Sequence, residues 1–280
     1  PEWWALKDGK RTHRDARGIT ADYCLSNPEL LDAVIREIRS YLKQAPESRL
    51  ISVQEGDNTL GVCECEPCRA LYEQFGKKES GLWIYFTNKV AEALSGEYPD
   101  AKFITFAYTR TAATPEGIVP GKNVGVQLCV WGNARGLPYG DPRNTLGNRF
   151  IEDRLKAWCA LTGNVMIWDY IYSHGNPFLQ DPNPLVNIDN MKMFRKHKVW
   201  GMYAENAAGV VSNGQPFKSW LMGRAMWNPD NLDGEALLQA FCLDYYGREA
   251  GKFIAEYWKN LRDVNKAQGF SDFRAGGSIG

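Results

Sequence analysis

Short apolar runs alternate along this chain with longer stretches whose apolar residues recur at helical spacing. That alternation constrains the fold more than anything else in the sequence. Repeated strand–helix units bury a parallel sheet under helices, and few architectures satisfy them. The runs are Ala21 to Leu25, Leu50 to Val53, Phe103 to Tyr108, Val124 to Val130, Val165 to Tyr170 and Val199 to Ala204. The helical stretches are predicted at about Pro28 to Lys43, Ser80 to Leu94, Phe150 to Leu161, Leu185 to Arg195, Glu235 to Tyr245 and Ala250 to Val264, with a segment at about Lys218 to Trp227 ahead of the last two. In the first of these, Leu31, Val34, Ile35, Ile38 and Leu42 share one face, and Ser26 with Glu29 can form a capping box at its start. In the second, Leu82, Trp83, Phe86, Val90 and Leu94 face inward.

Six β segments with helical crossovers suit either a (β/α)8 barrel or a doubly wound open sheet. The open sheet carries a Gly-rich phosphate loop after its first strand. Here Ala21 to Leu25 runs into Ser26-Asn27-Pro28, and neither GxGxxG nor GxxxxGK[ST] occurs. The expected fold is therefore an α/β TIM-type barrel two strands short of eight, either lacking its first two strands in this chain or completed by irregular N-terminal segments. It is read as one domain over residues 1–270, with closing helices from about 232 and a flexible Gly-rich tail at 271–280. A barrel of about 250 residues folds as one unit.

The 33 basic and 33 acidic residues cancel, which gives no electrostatic reason to expect a nucleic-acid partner. No run reaches the roughly 18 apolar residues of a membrane span. The segment Pro1 to Leu6 is not a signal peptide, so the compartment is not readable from the residues.

Barrel chemistry sits where the strands end. The second run leads into Gln54-Glu55-Gly56-Asp57, the third into Tyr108-Thr109-Arg110, and the fourth into Trp131. The fifth ends in Trp168-Asp169-Tyr170 with His174 beyond, and the sixth in Tyr203-Ala204-Glu205-Asn206. Glu55 or Asp57, Asp169 and Glu205 are thus expected on one rim as catalytic carboxylates. Glycoside hydrolysis uses two such groups, one protonating the leaving oxygen and one activating water or attacking the sugar. Tyr108, Arg110, Trp131, Trp168, Tyr170, His174, Tyr203 and Asn206 are the candidate substrate-binding residues, aromatic faces being good platforms for sugar rings. Arg110 and His174 are also possible charge partners for Asp169. The second and sixth runs stand four apart in barrel order, so their carboxylates would face each other with room for a water between them. Asp169 would lie near enough to Glu205 to share that water, in an inverting arrangement. HExxH does not occur, and only three His are present with no nucleophile on a recognisable turn, which leaves little for serine-hydrolase or zinc-protease chemistry.

Cys63-Glu64-Cys65-Glu66-Pro67-Cys68 places three thiols at metal-ligand spacing, and Cys24 is a possible fourth ligand of a structural zinc. Disulfides are the competing reading if the protein is exported, and simple burial is a third. Cys129, Cys159 and Cys242 lie in apolar contexts and are read as core. No cofactor is expected for catalysis.

Four segments carry a resemblance: Pro1 to Arg11, Cys24 to Glu29, Leu50 through Cys68, and Phe241 to Gly247. Together they resemble a glycosidase-like TIM-barrel domain of unknown function from exported proteins of polysaccharide-degrading gut bacteria. The resemblance implies a carbohydrate partner, an export route to the periplasm or cell surface, and a barrel that starts ahead of Pro1. It is distantly similar to α-glucuronidases, which place an acid after the fourth strand and water-activating carboxylates after the sixth and seventh. By that implication Glu55 or Asp57 is the acid, and Asp169 with Glu205 the base. The closer family reads Gln-Asn-Asp-Gly where this chain has residues 54–57, which leans toward Asp57. A polysaccharide or a uronic-acid-bearing oligosaccharide is the implied substrate, and a non-catalytic carbohydrate-binding barrel the alternative.

Overall fold

The computed structural model describes residues 2–11, 13–15, 17–57, 59–130, 136–142, 149–171, 184–206 and 214–268. In chain order the elements are β1 (Leu6–Lys7), β2 (Lys10–Arg11), α1 (Pro28–Gln44), β3 (Leu50–Ser52), α2 (Glu66–Gln74), α3 (Glu79–Leu94), β4 (Lys102–Ala107), β5 (Val124–Cys129), α4 (Arg149–Leu161), β6 (Val165–Tyr170), α5 (Val186–Lys196), β7 (Gly201–Glu205), α6 (Gln215–Trp227), α7 (Gly234–Tyr246) and α8 (Arg248–Gln268). β1 and β2 form a small antiparallel ladder. The remaining strands form a five-stranded sheet in the order β3-β4-β5-β6-β7, so neighbours in sequence are neighbours in space. Among the described residues, this is the connectivity found in part of a (β/α)8 barrel. Among them no helix is long and apolar enough to cross a membrane.

The chain divides into two compact units: residues 1–129 with 157–166, and residues 130–156 with 167–280. In the first, β3, β4 and β5 pair in parallel, and the register aligns Ile51, Phe103 and Val124 across the sheet. Those three, with Thr105, Val126, Ala107 and Leu128 further along, make a fully covered face. α3 packs against β4, α1 and α2, which is why it is apolar nearly all round. Gly125 is small of necessity: a β-carbon there would stand 2.6 Å from the Asn164 carbonyl oxygen.

Two sequence expectations change here. Ala21 to Leu25 is not a sheet strand. Its backbone is taken up by the N-terminal segment instead, through Ala5 N–H to the Asp22 carbonyl at 2.8 Å, Cys24 N–H to Trp3 at 2.8 Å and Ala21 N–H to His13 at 2.9 Å. An apolar run states that a segment is buried, not which partner satisfies its hydrogen bonds. Nor does Ser26 cap α1. Asn27 is the N-cap, its side chain accepting from the Leu30 amide at 3.1 Å, while the Ser26 hydroxyl lies among the cysteines.

In the second unit α7 and α8 form the most extensive helix pair. They approach so closely at Gly251 that a β-carbon would collide with the Cys242 carbonyl. Phe217 and Trp220 on α6 pack with Phe241 on α7 at 5.2 and 5.4 Å between ring centroids. Gly214, at the start of α6, has φ +73° and lies against the Trp258 ring, which excludes any side chain there.

Candidate functional site

The end of β3 carries its buried face forward by strict alternation: Ile51, Val53 and then Glu55, a carboxyl only 7% exposed. Glu55 Oε1 accepts a hydrogen bond from Thr111 Oγ1 at 2.8 Å. Burial pushes its pKa up to about 8, helped by the neighbouring Asp22 and Glu79 carboxylates and opposed by the Thr111 hydroxyl and the Arg110 guanidinium. Asp22 is also buried and also shifted upward by burial, although it accepts from the Thr59 hydroxyl at 2.7 Å. Arg110 braces the group. Its Nε meets Glu79 at 3.0 Å, and Nη1 and Nη2 reach the Thr59 carbonyl and hydroxyl at 2.7 and 2.5 Å. The partner that Arg110 finds is therefore Glu79. Asp57 is exposed and accepts from the Tyr108 phenol, whose own pKa is raised by burial and then by this carboxylate.

In the second unit Asp169 is buried and accepts from the Tyr139 hydroxyl at 2.7 Å and from the Tyr170 amide at 2.8 Å. Trp168 precedes it and so leaves β6 on the opposite face. Its indole N–H donates to Glu205 Oε2 at 2.7 Å, and its ring meets Tyr203 edge-on at 4.5 Å. Tyr203 is 48% exposed, leaving much of the ring open to a ligand. Asn206 donates to Ser219 Oγ at 2.6 Å. The structure thus gathers Glu205, Trp168 and Tyr203, and alternation turns Asp169 to the other side of the strand; Tyr170 is buried. Trp131, His174 and the tail at 271–280 lie outside the described residues.

The four sulfurs of Cys24, Cys63, Cys65 and Cys68 all lie within 4.8 Å of one another. Cys24 Sγ stands 3.6 Å from Cys65 Sγ and 3.9 Å from Cys68 Sγ, and all four thiols are free. Hydrogen bonds from Cys63 and Cys68 hold Cys24 below the ordinary thiol range. The cluster has the donors and dimensions to hold a metal ion.

Several residues of these groups were silent in the sequence. Asp22, Thr59, Glu79 and Thr111 come from four separate segments, and Tyr139 follows no strand. The one available signal was the position of Asp22, a charge inside an apolar run. His197 is half-buried and lies 3.3 Å from Glu152.

Fold and sites together define an α/β protein of partial-barrel connectivity, with a buried carboxyl group at a strand end and a four-thiol cluster. The chain belongs to the family described as domain of unknown function DUF4838, which it matches over residues 1–259. No curated protein matches the sequence. Among solved structures, the chain is similar to a GH138 enzyme targeting pectin rhamnogalacturonan II, at 14% identity and a TM-score of 0.47. The likeness covers 87% of this chain and 28% of that one, a degree that defines neither a shared fold nor a shared activity.

Proposed function

We propose that this is a carbohydrate-active domain of the glycoside hydrolase kind, in which Glu55 is the proton donor to the leaving oxygen. One observation carries the reading: a carboxyl at the end of a parallel strand, with a pKa pushed to about 8 by burial, keeps its proton at neutral pH. A general acid needs that property, because an ordinary glutamate has already lost the proton it must give. Substrate is a polysaccharide or a uronic-acid-bearing oligosaccharide, by the resemblance drawn from the sequence. An inverting course, in which a second carboxylate activates water, is the expected one.

The test is the leaving-group dependence of Glu55→Gln. Activity on sugars with poor leaving groups should fall by about 10²-fold or more, with far less loss on activated aryl glycosides, since only the former need a proton. Equal losses on both would remove Glu55 from the role. The anomer first released reports the stereochemistry.

A second reading has an observation of its own. Tyr203, half exposed beside Trp168 and Glu205, suits a sugar-binding platform with or without turnover. Tyr203→Ala should weaken oligosaccharide binding about 10-fold in calorimetry. Unchanged affinity would place the binding surface elsewhere.

A further inference from the structure

We propose that Cys24, Cys63, Cys65 and Cys68 are the four ligands of a single structural zinc ion. Zinc–sulfur bonds of about 2.3 Å in a tetrahedron set neighbouring sulfurs about 3.8 Å apart. The separations found, 3.6 Å from Cys24 to Cys65 and 3.9 Å from Cys24 to Cys68, bracket that edge. The sulfurs form one four-way group around a common centre, not two bonded pairs. Burial alone gives no reason for side chains from two distant segments to converge in this way. An iron–sulfur cluster would hold its thiolates much further apart, since several iron atoms must fit between them.

The surroundings fit four thiolates on one dication, which together carry excess negative charge. Leu6 N–H points at Cys63 Sγ at 3.1 Å, Cys65 N–H at the same atom at 3.5 Å, and the Arg11 guanidinium reaches it at 3.7 Å. Cys65 is the N-cap of α2 and Cys68 lies in its first turn, where the helix dipole favours anions. Such donors around the sulfurs orient ligands and tune a thiolate metal site. With all four positions filled by protein, no site remains for water or substrate, so the ion is structural, not catalytic. It would join the loop before α1 to the loop before α2 and draw in the β1–β2 hairpin through Leu6 and Arg11.

The inference is independent of any role for Glu55, and its test needs no activity. The full chain, purified under reducing conditions without chelator from zinc-supplemented medium, should contain about one zinc per chain by plasma mass spectrometry. After exchange with cobalt(II) it should show the strong near-ultraviolet sulfur-to-metal absorption and visible bands of tetrahedral thiolate coordination. Cys65→Ser should lose most of the bound metal, while Cys129→Ser, altered at a buried cysteine of β5 outside the cluster, should keep it. Should Cys65→Ser not fold, the cobalt spectrum of the unaltered chain decides alone. Zinc far below one equivalent, stoichiometric iron, or two disulfides by intact mass with and without reductant would each overturn the assignment.

Discussion

Burying Glu55 beneath Thr111 couples the stability of the fold to pH. Its folded-state pKa, about 8, lies above the 4.5 of a free glutamate. The proton is therefore bound more tightly in the native state, and the stabilisation is complete below about pH 4.5. It is lost as pH rises toward and through 8. At about 1.4 kcal/mol per pKa unit, the swing amounts to a few kcal/mol. Urea unfolding at pH 5 and pH 9 should show the wild-type chain losing that much, whereas Glu55→Gln, which carries no proton to lose, should be much flatter. Parallel pH profiles for the two would mean that Glu55 titrates normally. The alternation that buries this side chain was legible, since Ile51, Val53 and Glu55 fall on one face. What turned attention to Asp57 was alignment with a related family, and alignment carries no information about burial. Asp22, Thr59 and Glu79 could not be read, because nothing in their local sequence says that separate segments will meet.

Helices were the legible elements. The helical pattern located α1, α3, α4, α5, α7 and α8 to within a few residues, and the five α3 residues predicted to face inward, Leu82, Trp83, Phe86, Val90 and Leu94, are all buried. α2 escaped because its nine residues start inside the CxCxxC segment, where cysteine spacing drew the reading away from periodicity. Pairing was the harder problem at the same scale. Ala21 to Leu25 has the composition of a strand, but its hydrogen bonds go to the N-terminal segment, and a pattern of side chains does not specify backbone partners. Close helix contact was invisible for a similar reason. Gly251 reads as an ordinary glycine in an amphipathic stretch, although it sets the approach of α8 to the Cys242 carbonyl. Gly251→Ala should therefore destabilise the chain by about 1–3 kcal/mol despite the better helix propensity of alanine. A rise in melting temperature would show that α7 and α8 can part at no cost.

For the whole molecule, the order β3-β4-β5-β6-β7 follows from the βα repeat, because each crossover returns the chain beside the strand it left. The same local logic does not apply to the cysteines. Cys24 and Cys65 are separated by 41 positions along the chain, yet their sulfurs nearly touch. In polymer terms the cluster closes a ring, and α1 and β3 both lie inside it. Bringing the ends of a flexible chain of that length together costs roughly 3 kcal/mol in entropy before any contact inside the ring repays it. Once the thiols are gathered, that loss has already been met, and the docking of α1 and β3 becomes a search within a small loop instead of across the open chain.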